Sequence, residues 1–443
     1  MKLLGRYDKY KKINSLFINE LPSNWEYVKL KHIANIYNGN SLNDDYKLQF
    51  ESENEEELSY IASKDINVDN SEINYQNGTR IPRDFESFKI APRFSSLLCI
   101  EGGSAGRKIG FTNQDVYFVN KLACFRAEDN KTSKFIFYNL QSNLFQSQFF
   151  NSLTGLIGGV SITNIRNFNI PLPPFQEMCS IINYLDNQTS IIDEIISRKE
   201  KQIELLKEKR QAIINETVTQ GLNLDVKMKD SGIGWLGKIP YHWSLKKMKY
   251  VFEIKKEIAG TLGYDVLSVT QRGIKIRDIE NFKGQLSMDY SKYQIVEEGE
   301  YIMNHMDLLT GWVDISKWKG VTSPDYRVFR LKNKLCRKNY YLYIFQLCYT
   351  NKIFFGLGQG VSTLGRWRMP AEQFNNFILP IPPHNEQIEI ENFIEEKTNL
   401  INELIDKQTI IIEKLKEYRQ SIISEAVTGK IDVRDWQPNN SSN

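Results

Sequence analysis

Cysteine and histidine are scarce in this chain. Its 443 residues hold five cysteines, Cys99, Cys124, Cys179, Cys336 and Cys348, and four histidines, His32, His242, His305 and His384. No two cysteines form a C-x-x-C pair and their number is odd, so neither a disulfide framework nor a zinc site is expected, and buried thiols are the simpler reading. The histidines are too widely separated to suggest a metal or acid–base constellation. Uncharged apolar runs of membrane-spanning length are missing as well. Met1 to Glu20 is polar and lysine-bearing with no apolar h-region, so no membrane contact is expected and the cytoplasm is the expected compartment. Nor does charge of one sign dominate. The 57 Lys and Arg against 54 Asp and Glu leave a net charge of +3, which permits an acidic partner without requiring one, because phosphate binding depends on where cations cluster. With 41% hydrophobic residues over this length, two or three domains can each bury a core.

What the chain does contain is a copy of itself. Ile170-Pro-Leu-Pro-Pro-Phe-Gln-Glu177 recurs as Leu379-Pro-Ile-Pro-Pro-His-Asn-Glu386, and the match then runs without a gap at a constant offset of 209, which is 386 minus 177. Lys207-Glu-Lys-Arg-Gln-Ala-Ile-Ile-Asn-Glu-Thr-Val-Thr219 faces Lys416-Glu-Tyr-Arg-Gln-Ser-Ile-Ile-Ser-Glu-Ala-Val-Thr428. A weaker echo lies upstream, where Leu21-Pro-Ser-Asn-Trp25 corresponds to Ile239-Pro-Tyr-His-Trp243 at an offset of 218. Each unit therefore opens at a Pro-x-x-Trp and closes on the conserved segment. The contents between share nothing obvious.

The conserved segments read as helices. Pro173-Pro174 and Pro382-Pro383 suit an extended approach and a helix start, and Gly221 and Gly429 are stop signals. Between them, apolar residues step by four and three through Ile192, Ile196, Ile203, Leu206 and Ile213, and in the copy through Ile401, Ile405, Ile412, Leu415 and Ile422. Polar residues interrupt both series at matching places, Lys199 and Arg210 against Gln408 and Arg419. That is a heptad seam of roughly 45 residues, about 65 Å long. The first helix carries the chain away from the first domain and the second starts at the second domain, so mutual pairing must be antiparallel. Such pairing gives an approximate two-fold axis, the symmetry with which homodimeric DNA readers address two half-sites.

These residues carry a family resemblance. The proline-rich segment ending at Glu177, Leu205-Leu-Lys-Glu-Lys-Arg-Gln211, Glu216-Thr-Val-Thr-Gln-Gly221 and above all Lys227-Met-Lys-Asp-Ser-Gly-Ile-Gly-Trp-Leu-Gly-Lys-Ile-Pro-Tyr-His-Trp243 closely resemble specificity subunits of type I restriction-modification systems. The resemblance spans essentially the whole chain. It implies an α+β fold in which two β-rich target recognition domains are joined and spaced by two long antiparallel coiled-coil helices, a pseudo-two-fold internal repeat. The expected division is a leading segment 1–20, a first recognition domain 21–170, a spacer helix 171–221, a linker 222–237, a second recognition domain 238–379, a second spacer helix 380–429 and a tail 430–443. It further implies that each domain reads one part of a bipartite site on double-stranded DNA. Two methylation subunits and a restriction and translocase subunit are the expected partners, and S-adenosylmethionine, ATP and magnesium are expected on those partners, with no cofactor bound by this chain. One departure is that the first domain has no clear copy of Asp230-Ser-Gly-Ile-Gly-Trp235 ahead of its Pro-x-x-Trp.

Three stretches imitate catalytic motifs. Gly232-Ile-Gly-Trp-Leu-Gly-Lys238 has Walker A spacing but puts Ile239 where a hydroxyl must ligate magnesium, so it reads as a turn. Phe354-Phe-Gly-Leu-Gly358 fits a methyltransferase F-x-G-x-G, yet Leu172 and Ile381 stand before the proline pairs where Asn or Asp is needed. Glu253-Ile-Lys255 has no acidic partner in the upstream pattern that a metal-dependent nuclease requires. The chain is expected to be non-catalytic.

Base reading requires donors and acceptors at base edges, with cations on phosphates to set register. In the first domain the candidates are Ser104, Arg107 and Lys108 in the loop Glu101-Gly-Gly-Ser-Ala-Gly-Arg-Lys108, with Lys64, Asn164 and Arg166 in support; a plain solvent-side hairpin is the competing reading of that loop. In the second domain they are Gln271, Arg272 and Lys275 in Thr270-Gln-Arg-Gly-Ile-Lys-Ile-Arg277, then Thr310, Trp312, Arg366 and Arg368, where aromatics alternate with cations as on a nucleic-acid face. Short β-branched and aromatic runs such as Leu97–Ile100 and Val116–Val119 point to small β-rich domains, and Phe135–Phe150 and Tyr340–Phe355 occupy corresponding places as helices. From a different class, a coiled-coil scaffold with two protein-binding domains is the alternative function. A self-contained modification enzyme is a third, and the missing cofactor motif counts against it.

Overall fold

The computed structural model describes residues 5–438 except 44–45, 47–48, 53, 55, 86, 156–157, 224, 279–288, 334 and 361–366. The chain divides into two compact units, residues 1–201 with 408–443 and residues 202–407. Each holds a β-rich domain, the first part of one long helix and the last part of the other. Among the described residues the helices of eight residues or more are α1 (Asn130–Gln141), α2 (Asn143–Asn151), α3 (Phe175–Gln220), α4 (Lys338–Thr350) and α5 (His384–Val427).

In the first unit, a four-stranded antiparallel sheet runs in the order Asn35–Asn38, Leu122–Arg126, Ser96–Cys99, Ile109–Phe111. The second unit repeats it as Phe252–Lys255, Arg327–Leu331, Tyr301–Met303, Val313–Ile315. Sequences that share nothing obvious therefore build the same sheet, its two inner strands largely buried in both units. The first unit has a further four-stranded sheet in which Leu58–Ile61 runs parallel to Val116–Phe118. It also has a counterpart of the second unit's opening hairpin: Tyr10–Lys12 pairs with Glu20–Pro22 as Met228–Asp230 pairs with Lys238–Pro240.

The expected single helix over Phe135–Phe150 is in fact two. Ser142, extended at ψ 150°, ends α1, and its hydroxyl accepts from Phe145 N to cap α2. A serine competes locally for backbone partners, and here it breaks a run that apolar content alone would continue. In the second unit α4 runs unbroken from Lys338 to Thr350 and stops short of the expected Phe355.

Why each unit opens on Pro-x-x-Trp is visible in the packing. Trp25 is fully buried and its indole N–H donates to Glu177 Oε1 at 2.7 Å, in the first turn of α3. Trp243 does the same to Glu386 Oε2 at 3.0 Å, in the first turn of α5. A carboxylate in that turn also suits the positive end of the helix dipole. The end of the other long helix lies against each tryptophan. Gly221 (φ 78°) follows α3 and an added Cβ there would meet Trp243 at 3.3 Å, while Gly429 (φ 69°) follows α5 and a Cβ would meet Pro22 at 2.5 Å. Left-handed backbone and close approach together demand glycine. Truncating either buried tryptophan to alanine costs roughly 3–5 kcal/mol.

Within the first unit the two helices run antiparallel, joining Asp193 to Arg419 and Lys199 to Gln408. Ile192 and Ile422 are buried in one core with Trp25, Phe135 and Phe145, and Ile196 and Leu415 pack at its edge. In the second unit Ile214 and Val218 share a core with Ile390, Ile394 and Trp243. Of the other seam positions, Ile401 and Ile412 are buried, and Ile203, Leu206, Ile213 and Ile405 are half-buried.

Candidate nucleic-acid interface

In the first unit the loop Ile100–Lys108 joins the neighbouring strands Ser96–Cys99 and Ile109–Phe111. Gly102 (φ 89°) and Gly106 (φ 77°) let it fold tightly, and a Cβ on Gly106 would strike the Phe149 ring at 2.8 Å. Within it, Gly106 N donates to Cys99 O at 2.8 Å and Arg107 N to Ser104 O at 3.1 Å. Arg107 is exposed and Ser104 half-buried. Lys108 is engaged within the domain, its Nζ donating to Ser63 O at 2.7 Å. That bond brings the loop beside the turn Ser63–Asp65, where Lys64 is exposed, and both lysines line a hollow of about 530 Å³. Arg107 lines another, of about 350 Å³, together with Asn143, Gln146, Lys416, Arg419 and Gln420.

The other two candidates of this unit stand apart from that loop. Asn164 is exposed on a helical turn capped by Ser161, whose Oγ accepts Asn164 N at 3.2 Å. Arg166 Nη2 donates to Ile36 O at 2.6 Å, which anchors the domain's last helical turn to a strand end, and the side chain borders a separate hollow of about 1030 Å³ with Lys31, His32 and Arg126.

In the second unit Gln271 and Arg272 form the two-residue turn between strands Leu267–Thr270 and Gly273–Ile276. Gly273 adopts φ 102°, Thr270 Oγ1 donates to Gly273 O at 2.8 Å and accepts from Arg272 N at 3.2 Å. Such a tight tip holds both side chains outward, and Lys275 is exposed on the second strand. Gln271 Nε2 reaches Thr310 O at 3.3 Å, so this tip meets the loop Asn304–Trp312, the counterpart of Ile100–Lys108. Thr310 is held by Asp307, which accepts both its N–H, at 2.9 Å, and its hydroxyl. Trp312 packs half-buried with its ring 6.1 Å from that of Tyr349. Arg366 lies outside the described residues. Arg368 is exposed and its backbone pairs with Gln359.

Beneath Arg368 lies a pair that the sequence did not single out. His305 and Arg327 are 5% and 6% exposed, and His305 Nδ1 and Arg327 Nη1 have no hydrogen-bond partner among the described residues. Arg327 Nη2 donates to Met369 O at 3.0 Å and the guanidinium lies 4.6 Å from the centroid of the Phe374 ring. Burial, and then the charges of Arg327 and Arg368, push the His305 pKa down to about 3. Burial likewise lowers Arg327 to about 10. Nothing in the strand pattern Arg-Val-Phe-Arg-Leu distinguishes the inward Arg327 from the outward Arg330, because the face is fixed by the sheet.

Two of the stretches that imitate catalytic motifs sit in plain frameworks of the fold. Gly232–Lys238 connects an antiparallel hairpin and enters no helix, and Phe354 is buried in the core of its unit. Among the described residues no group of three or more His, Cys, Asp or Glu is placed to hold a metal ion, and no helix is long and apolar enough to cross a membrane.

Comparison with known proteins matches residues 22–213 and 242–414 to the family described as type I restriction modification DNA specificity domain. A similar curated protein is the type I restriction enzyme MjaVIII specificity subunit of Methanocaldococcus jannaschii, 23% identical over 402 residues and covering 85% of this chain and 84% of that protein. The type I restriction enzyme EcoKI specificity subunit of Escherichia coli is 21% identical, covering 95% of this chain and 92% of that protein. A solved chain from work on complex assembly and conformational transition of the type I R-M system shares the fold with a TM-score of 0.66 at 15% identity, covering 93% of this chain and 99% of that one.

Proposed function

Since the chain belongs to the type I restriction-modification DNA specificity family, we propose that its two units each read one part of a split, asymmetric duplex site by the loops described above. The observation that carries this reading is one sheet order bearing unlike contents: Ser104 and Arg107 in the loop of the first unit, and in the second the Gln271-Arg272 tip leaning on Thr310. Equal frames with unequal side chains suit two different half-sites. Gln can pair with adenine and Arg with guanine, while Lys64, Lys275 and Arg368 supply cations for phosphates. Lys108, Arg166 and Trp312 serve this reading chiefly by positioning loops, and Asn164, exposed on its helical turn, is free to meet the duplex.

On this reading the chain itself is non-catalytic and binds no cofactor. S-adenosylmethionine, ATP and magnesium belong to the methylation subunits and the restriction and translocase subunit that it directs, in the cytoplasm. Two methylation subunits fit a feature of the long helices. Ile191 and Ile195 on α3 are 45% and 37% exposed, and their repeat equivalents Leu400 and Leu404 on α5 are 50% and 45% exposed. A patch present twice at equivalent positions suits one partner bound twice.

The test is a methylation profile of cells carrying the complex with Gln271→Ala and Arg272→Ala together. Each lost base contact costs about 1–3 kcal/mol of discrimination, so one half of the methylated site should relax while the other is kept. An unaltered profile removes both residues from the reading surface.

A further inference from the structure

The repeat places an arginine at the same seam position of each long helix, Arg419 on α5 and Arg210 on α3, 209 residues apart. Their surroundings differ. Arg419, in the first unit, grips Asp193 with two donors, Nε to Oδ1 at 2.9 Å and Nη2 to Oδ2 at 3.2 Å, and its Nη1 donates to Gln141 Oε1 at 3.2 Å. Each of its three nitrogens thus has a partner and its charge is paired.

In the second unit the acidic partner is replaced and the glutamine does not reach the arginine. The repeat equivalent of Asp193 is Asn402, which carries no charge. The counterpart of Gln141 is Gln346, whose Nε2 donates to Val313 O at 3.3 Å, just beyond the Asn304–Trp312 loop, and which shares no hydrogen bond with Arg210 among the described residues. Arg210 is half-buried, its Nε is shielded from solvent without a hydrogen-bond partner, and it forms no ion pair among the described residues. An Nε taken out of water with nothing to receive it is costly, and the Nη1 and Nη2 donors at the other edge of the guanidinium, which no ion pair occupies among the described residues, match a phosphate as well as a carboxylate.

We propose that Arg210 is a DNA backbone contact of the second unit, a vacant phosphate fork where the first unit has a closed ion pair. This rests on the DNA-reading function above and deepens it, because it makes a spacer helix part of the binding surface and makes the surface asymmetric. A phosphate is favoured as occupant because Arg419, at the equivalent place, lines one hollow with Arg107 of the candidate reading loop and with Lys416.

A reciprocal exchange tests it, using the full chain and a labelled duplex of arbitrary sequence titrated over a series of salt concentrations. Each phosphate contact contributes about 0.9 to the slope of log K against log salt. Asn402→Asp copies the first unit's ion pair onto Arg210, so the slope should become shallower by about that amount while the thermal midpoint rises. Arg210→Gln should flatten the slope equally without the thermal gain. Asp193→Asn releases Arg419 and should steepen the slope. If Asn402→Asp raises the midpoint and leaves the slope untouched, Arg210 belongs to the helix seam and the proposal fails. It also fails if Asn402→Asp alters capture of the methylation subunits and not the slope, which would assign the fork to a protein carboxylate. Should the unaltered chain bind no duplex at any salt, the reading on which the inference rests falls with it.

Discussion

A histidine that stays neutral under a layer of cations gives the second unit an acid-sensitive point. His305 takes a proton near pH 6.5 when the chain is unfolded but only at about 3 when folded, because burial and then Arg327 and Arg368 disfavour its charged form. Between those values the unfolded state binds more protons, so the contribution of this residue to stability is complete above about pH 6.5 and is lost as pH falls toward 3. His305→Leu should therefore lose less thermal stability than the unaltered chain between about pH 7 and pH 4.5, and scanning calorimetry at the two values checks it; parallel curves would show that His305 is already charged when folded. At this scale sequence reading was weakest. Arg368 is an evident surface cation, whereas His305 and Arg327 are ordinary members of a loop and a strand until the sheet turns them inward. Lys108 and Arg166 show the converse, since two cations that suit phosphates are bonded to the carbonyls of Ser63 and Ile36.

Among elements, the ends of the long helices carry the clearest expectation. Alanine at Gly221 or Gly429 must hold left-handed backbone, at about 1–2 kcal/mol, and Gly429→Ala should cost more than Gly221→Ala. At position 429 the added methyl meets the rigid Pro22 ring at 2.5 Å, and at 221 it meets the yielding carboxylate of Glu386 at 2.8 Å. Gly234→Ala, which meets nothing within 4 Å, is the control; denaturant midpoints rank the three, and equal midpoints would refute the argument. Both glycines, the proline pairs and the seam were legible because a helix this long repeats its signal many times. The sheets were legible only as β-rich runs. Their common order was not, since strand pairing joins residues far apart in sequence, such as Asn38 with Ala123 and Lys255 with Val328. The break at Ser142 was missed because its hydroxyl acts on the backbone, which apolar periodicity does not register.

For the whole molecule, the reading as a specificity subunit makes helix length a determinant of the target. Removing one heptad from each long helix at equivalent positions shortens the spacer by about 10.5 Å, close to three base pairs at about 3.4 Å each. The gap in the methylated site should contract accordingly, and an unchanged gap would separate helix length from target spacing. The Trp–Glu–Gly packing has a different consequence, in the order of events during synthesis. The second unit is continuous, residues 202–407, whereas the first needs Ile422, Ile423, Ala426, Val427 and Val433 to complete the core around Trp25. A chain emerging from the ribosome can close its second half while the first still waits with Trp25 and Leu21 uncovered, so the half that is made earliest is the last to finish folding.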